Sequence, residues 1–157
     1  MAFEMDLYGR AGEPVAQRAL AHLVADVERR DPLIQVSLDS DSVGWAGCEL
    51  SSSRDPRASL DAVTRARISP EELARAPWPT SVVVNTRPDV VPEAVRELVE
   101  LGAPPELPDC DVIVQICLVG RLTDWATVRV VWESAIGLWS AIPYAPDYGF
   151  ATLDDLP

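Results

Sequence analysis

The chain has 157 residues, 48% of them hydrophobic, and its 25 acidic residues against 13 arginines give a formal net charge of −12. The apolar fraction argues against disorder, and the lack of any run of about 20 apolar residues argues against a membrane-spanning helix. The charge opposes nucleic acid and anionic membrane as partners, because both bind cationic surfaces, whereas a basic protein would be attracted.

The first ten residues, MAFEMDLYGR, carry two acidic residues before the first arginine and have no apolar core. They therefore do not resemble a signal peptide, and we expect a cytosolic protein. The chain length predicts one domain over residues 1–157, large enough to bury a sizeable core.

The first predicted element is a helix over residues 14–30, PVAQRALAHLVADVERR. Pro14 suits the first turn of a helix, and the apolar residues recur on one face. The helix should end at Asp31, because the residue before a proline disfavours the helical conformation. The only histidine of the chain, His22, lies off the apolar face and should be exposed.

Residues 35–50, QVSLDSDSVGWAGCEL, predict a β-hairpin, because apolar runs flank a turn rich in Asp, Ser and Gly. The turn begins like a calcium-binding loop, with Asp39 and Asp41 at alternate positions. However, Val43 and Leu50 stand where such a loop needs oxygen ligands. We therefore predict a hairpin with an acidic turn and no metal site.

The middle of the chain alternates short elements. Residues 57–68, RASLDAVTRARI, fit a short helix or a strand equally well. Ser69 and Glu72 form a capping box that predicts a short helix. Residues 80–86, TSVVVNT, predict a buried strand, and DVVPEAVRELVELG predicts a helix that ends at Gly102.

The last third is apolar and rich in β-branched residues. Residues 111–120, DVIVQICLVG, predict a strand that is apolar on both faces, and residues 122–133, LTDWATVRVVWE, predict a turn followed by a second, antiparallel strand. Residues 143–157 have no periodicity and predict an irregular tail. Together the elements predict an α+β fold: an antiparallel or mixed sheet with two main amphipathic helices packed on one face. A split βαβ layout is one option for the second half.

The acidic residues are concentrated in one segment. Residues 89–111 contain seven acidic residues against Arg96 alone, a net charge of −6. On the predicted helix Glu93, Glu97 and Glu100 fall on one side, opposite the apolar residues. Like charges at helical spacing without cationic partners cost a few tenths of a kcal/mol, so compensation could come from a partner. The acidic candidates for a partner-binding surface are Asp89, Glu93, Glu97, Glu100, Glu106, Asp109 and Asp111.

Five tryptophans are many for this length, and most are expected in the core. Trp45 follows the acidic turn, Trp78 lies between two prolines and Trp125 lies beside an aspartate in a predicted turn. These three are therefore the best candidates for partial exposure. Aromatic residues surrounded by acids are typical of a surface that binds a basic protein.

Two classes of function fit these observations. The first is a small acidic protein without catalytic residues that blocks a basic partner, such as an antitoxin or the immunity protein of a bacterial toxin. The second is an enzyme acting through carboxylates, either Asp109 and Asp111 on the two sides of Cys110, or Asp39 and Asp41 holding a magnesium ion. A scaffold subunit with an acidic, soluble face is a third option. We favour the first, with no cofactor.

The cysteines support this choice. Cys48, Cys110 and Cys117 are an odd set whose spacing matches neither a zinc site nor a disulfide framework, so we expect buried, reduced thiols. No sequence around them resembles a nucleophile motif, and no glycine-rich phosphate loop follows any predicted strand.

Overall fold

The structure is a computed structural model that describes residues 2–60, 62–75, 79–119 and 123–156. The strands in these ranges are β1 (Ala2–Gly9), β2 (Ile34–Ser42), β3 (Trp45–Ser52), β4 (Thr80–Asn85), β5 (Val112–Val119), β6 (Ile142–Ala145) and β7 (Gly149–Phe150). The helices are α1 (Ala16–Arg30), α2 (Ala62–Arg67), α3 (Pro70–Ala74), α4 (Val91–Glu100) and α5 (Trp125–Trp139). Short 3-10 turns occupy Pro56–Ser59, Leu107–Asp109 and Leu153–Asp155.

The strands form one seven-stranded sheet in the order β2–β3–β4–β5–β1–β6–β7. Every neighbouring pair is antiparallel, so the predicted α+β class with an antiparallel sheet is confirmed. Because β5 and β6 are both antiparallel to β1, which lies between them, they run parallel to each other. Helix α5 connects them, and this segment is a split βαβ unit of the kind considered for the second half.

One face of the sheet packs against α1 and α5, which also contact each other. Alternate strand residues point to this face, among them Leu7 of β1, Val84 of β4 and Val114 of β5. Leu23 of α1 and Val131 of α5 pack against them, and each of these five side chains is fully buried. Burial of a Val or Leu side chain stabilises the fold by about 1.5–3 kcal/mol, so this cluster is the main core.

Helix α4 packs on the opposite face. Val91, Val95 and Leu98 of α4 contact Tyr8 of β1 and Ile113 of β5 in a second, smaller core. The prediction of two main helices on one face is confirmed, but the second helix of that layer is α5 and not α4. The reason is that β5 is apolar on both faces, as predicted, and both faces therefore need a helical cover.

Several features that the sequence predicts from local patterns are present in the structure. Helix α1 ends before Asp31, and β2 and β3 form the predicted hairpin. The hydroxyl oxygen of Ser69 accepts a hydrogen bond from the backbone N of Glu72, and the Glu72 carboxylate accepts one from the backbone N of Ser69, each at 3.1 Å. The capping box is therefore confirmed at the start of α3. Residues 57–68, whose sequence fits a short helix or a strand, contain the helix α2.

The prediction of a turn and a strand over residues 122–133 was wrong, because residues 125–139 form α5. The Asp124 carboxylate caps this helix by accepting hydrogen bonds from the backbone N of Thr127 at 3.3 Å and from its hydroxyl at 2.8 Å. Seven residues of α5 are buried, since the helix packs against both the sheet and α1. Its sequence is therefore apolar on most sides and lacks the one-sided pattern of a surface helix.

The prediction of an irregular tail over residues 143–157 was also wrong in part. Strand β6 pairs with β1, and β7 pairs with β6. The rings of Tyr144 and Phe150 are 5.1 Å apart between centroids and join these two strands on the α4 face. Only the segment after β7 follows the expected irregular course, through the 3-10 turn Leu153–Asp155.

The longest helices, α1 and α5, have 15 residues each. In the part of the chain that the structure describes, none of the helices combines the length and the hydropathy needed to cross a bilayer.

Candidate partner-binding surfaces

Helix α4 presents acidic residues to solvent, as predicted. Val91, Val95 and Leu98 face the sheet and are buried. Glu97 and Glu100 are exposed on the outer side of the helix. The orientation follows from the sequence, because residues three and four apart lie on one side of a helix.

Two of the predicted acidic candidates have arginine partners. The guanidinium of Arg87 donates to both carboxylate oxygens of Asp89, at 3.1 and 2.6 Å. This hydrogen bond lowers the pKa of Asp89 below its ordinary value. Glu93 forms an ion pair with Arg96, three residues further along α4. The expectation that this row of acids lacks cationic partners is therefore wrong for Asp89 and Glu93.

A third candidate, Asp111, has a structural role. Its carboxylate oxygens accept hydrogen bonds from the backbone N of Ala11 at 2.7 Å and of Gly12 at 3.0 Å. Its own backbone N donates to the carbonyl of Gly9 at 2.9 Å. These bonds fix the loop after β1 beside the start of β5, so Asp111 is already engaged within the chain.

The proposed pairing of Asp109 with Asp111 on one strand face was wrong. Asp109 ends the 3-10 turn Leu107–Asp109, and β5 begins only at Val112. The two carboxylates are therefore not alternate residues of a strand. Cys110 between them is half-buried, and burial raises the pKa of its thiol to about 11. A thiol with that pKa is protonated at neutral pH and is a poor nucleophile.

Four candidates remain available, and we call them the acidic patch: Glu97, Glu100, Glu106 and Asp109. All four are exposed. No hydrogen bond or ion pair within the described ranges engages their side chains. The turn that carries Asp109 packs against α4, which places the four residues on one side of the molecule.

A shallow groove of about 320 Å³ lies between α4 and the turn Leu107–Asp109. Its apolar lining includes Val95 and Val99 of α4, Pro108 of the turn and Cys110 just after it. Arg96, which pairs with Glu93, also lines the groove. Val99 is 46% exposed. This exposed apolar surface lies on the same side of the sheet as the acidic patch, so a partner could bury area there while charge orients it.

The three tryptophan candidates are in different environments. Trp45 is half-buried at the start of β3, on the sheet face opposite α1. Trp125 is half-buried and packs against the main core. Trp78 lies outside the described residues. The structure therefore brings neither Trp45 nor Trp125 into the acidic patch, and both stay predictions as partner contacts.

A larger groove of about 590 Å³ lies between α1 and the β2–β3 hairpin. Its floor includes Leu20, Val24 and Leu38, and its rim includes Glu28 and Asp41. The sequence predicted the acidic hairpin turn. It did not predict that α1 leaves part of the sheet edge uncovered. The residue that marks this groove is Leu38, which lies on the core side of the hairpin and is nevertheless 75% exposed.

One carboxyl group on the α4 face of the sheet is in an unfavourable environment. Asp6 of β1 is half-buried, and its Oδ1 atom is buried and has no hydrogen-bond partner among the described residues. Burial and the nearby charge of Glu4 raise the pKa of Asp6 to about 6, against a smaller opposing effect of Gln115. The Gln115 amide donates to Glu4 at 2.9 Å.

In residues 2–60, 62–75, 79–119 and 123–156, no three His, Cys, Asp or Glu side chains come together as a metal would require. Burial, with Asp39 and Glu49 nearby, raises the pKa of the Cys48 thiol to about 12, and His22 is exposed. Cys48 is buried as expected, whereas Cys110 and Cys117 are half-buried.

The fold and its surfaces define an antiparallel α+β protein with two acidic, partly apolar surfaces. Comparisons of the chain with models of known protein families, with curated proteins and with solved structures found no match.

Proposed function

We propose that this protein is a binding module for a basic protein and acts by covering a cationic surface of that partner. An inhibitor, an antitoxin or the immunity protein of a toxin acts in this way. The observation that supports the proposal is the acidic patch. Within the described residues Glu97, Glu100, Glu106 and Asp109 have no intramolecular hydrogen bond or ion pair, and Arg96 on the same helix pairs with Glu93 instead.

The proposal depends on the difference between acidic residues that bind groups of their own chain and acidic residues that do not. Asp89, Glu93 and Asp111 each bind a group of their own chain. The acidic patch adds repulsion at α4, and in the part of the chain that the structure describes its side chains form no hydrogen bond or ion pair. Its field is part of that of a chain with a net charge of −12, which attracts a cationic protein and raises the rate of association.

The groove beside the patch supplies the second requirement of a protein interface. Long-range attraction alone does not hold a complex, because salt screens it over about 8 Å at physiological ionic strength. Val99 and Pro108, both exposed, offer apolar surface that a partner can bury on the α4 side of the sheet. In this proposal charge determines the association rate, and apolar contact determines the residence time.

The test is to isolate a stoichiometric basic partner with the immobilised protein and to measure association rates at several salt concentrations. In the patch variant Glu97→Gln, Glu100→Gln, Glu106→Gln and Asp109→Asn, association at low salt should slow by roughly tenfold. Its salt dependence should flatten, because fewer charges remain to be screened. Folding should be unaffected, since the four side chains are exposed.

A matched control separates the patch from the net charge. Glu49, Glu71, Asp147 and Asp154 are exposed and lie outside the patch. Changing them to Gln or Asn removes the same four charges, and we expect a much smaller effect on the association rate. Equal rates and equal salt slopes for the wild type and the patch variant would show that the patch is only a solvated surface.

A further inference from the structure

We infer that the groove between α1 and the β2–β3 hairpin is a second binding surface, and that its occupant is a cationic, amphipathic helix of a partner protein. This inference is independent of the acidic patch, which lies on α4 at the other face of the sheet. The two surfaces can therefore be tested separately.

The groove exists because the helical layer ends before the sheet does. Strand β2 is an edge strand, and its side chains Ile34, Val36 and Leu38 point to the α1 side. Ile34 is buried, Val36 is half-buried and Leu38 is 75% exposed. Helix α1 thus covers less of β2 from Ile34 to Leu38, and an apolar strip is left exposed to solvent.

A helix is the element that fits this opening. Packed helices lie about 8–10 Å apart, so a helix placed over β2 beside α1 would continue the layer formed by α1 and α5. Ala21 and Ala25, both exposed, line the α1 side of the groove and leave room for close approach. Strand addition at β2 is less suitable, because a β-bulge between Leu38 and Asp41 interrupts the register of this edge strand.

The charge of the lining determines the chemistry of the occupant. Among the described residues that line the groove there are three acidic residues, Glu28, Asp39 and Asp41, and no arginine or histidine. Arg or Lys side chains on the polar side of an incoming helix would meet the carboxylates of Glu28 and Asp41, while its apolar side covers the floor. A second copy of this chain would bring like charges together and is therefore disfavoured.

The test uses a synthetic peptide with Leu and Arg at helical spacing as the probe, and its binding to the full chain is measured by fluorescence anisotropy. Two control peptides accompany it: one with the same residues in scrambled order and one with Glu in place of Arg. We expect binding of the first peptide only. Equal binding of the scrambled peptide would overturn the assignment of a helix.

Two double variants with equal charge locate the binding site. Glu28→Gln with Asp41→Asn should weaken binding of the helical peptide by roughly fivefold, and Glu97→Gln with Glu100→Gln should leave it unchanged. Equal losses would mean that the peptide responds to net charge, and a loss confined to the second variant would place it on α4. Either result overturns the inference while leaving the proposed function to its own test.

The apolar floor is tested with Leu38→Thr, which is tolerated because Leu38 is largely exposed on a strand. This variant should also weaken the helical peptide by roughly fivefold, since it removes apolar area from the contact. No loss would overturn the inference. Sedimentation of the wild type provides a last criterion: a dimer that Leu38→Thr converts to monomer would identify a second copy as the occupant and overturn the assignment of a cationic helix.

Discussion

Replacing Asp6 by Asn should stabilise the protein at neutral pH. The Oδ1 atom of Asp6 is buried, no described residue forms a hydrogen bond to it, and the charge of Glu4 lies nearby. The folded state therefore disfavours the ionised form of Asp6 relative to the protonated form. Asparagine has the same shape and no charge, so it removes the repulsion and most of the desolvation cost.

The magnitude follows from the pKa. The folded protein raises the pKa of Asp6 from 3.8 to about 6. Each unit corresponds to about 1.4 kcal/mol, so an upper limit is about 3 kcal/mol. Water reaches the half-buried side chain and screens it, which reduces the expected gain to about 1 kcal/mol. In a chain of this size that gain raises the Tm by roughly 2–4 °C.

The pH dependence identifies the cause. Because the folded-state pKa is raised, the stability that protonated Asp6 contributes is fully present below pH 3.8 and is lost as the pH rises through about 6. Asp6→Asn should therefore exceed the wild type in stability at pH 7.5 and approach it at pH 4.5. Urea unfolding at both pH values measures the difference, with Glu49→Gln as a control that removes an exposed charge. A variant less stable than the wild type at pH 7.5, or a gain equal at both values, would refute this reasoning.

Three further outcomes are expected. Asp31→Ala should lower the free energy of unfolding, measured in urea, by about 3 kcal/mol, because Asp31 is buried and pairs with the half-buried Arg54. Arg54→Ala should lower it by a similar amount. Full stability of either variant would speak against a structural ion pair. Gly44→Ala should lower the Tm by several degrees, because Gly44 has a φ of +91° and an added Cβ would meet the side chain of Arg87. A thiol reagent should label the buried Cys48 only after unfolding, and rapid labelling of the native protein would contradict its burial.

Much of the fold was predictable because local signals and tertiary packing agree. The one-sided apolar pattern of α1 and the capping box at Ser69 are local features, and the structure retains both. Helix α5 was missed because its Val-rich sequence is apolar on most sides. Strand β1 was not predicted, although Met5 and Leu7 alternate with charged or aromatic residues in the pattern of a half-buried strand.

The candidate surfaces were predictable only in part. The pair Glu93–Arg96 has a spacing that sequence can reveal, but the contact of Asp111 with Ala11 and Gly12 joins residues about 100 positions apart. The groove beside α1 depends on where the helical layer ends, and this is decided by the packing of α5 against α1. Local sequence patterns do not contain that information.

The interior position of β1, between β5 and β6, has a consequence for the order of folding. This strand pairs with β5 along its whole length and with β6 on its other side, so its partners lie more than 100 residues later in the chain. During synthesis β1 leaves the ribosome long before either partner exists, and the sheet joins its two halves only when β5 has emerged. Such non-local closure makes folding slow, because the entropy of a long loop is lost before contacts compensate for it. We therefore expect the hairpin β2–β3 and helix α1 to form early, and the insertion of β1 between β5 and β6 to complete the native state.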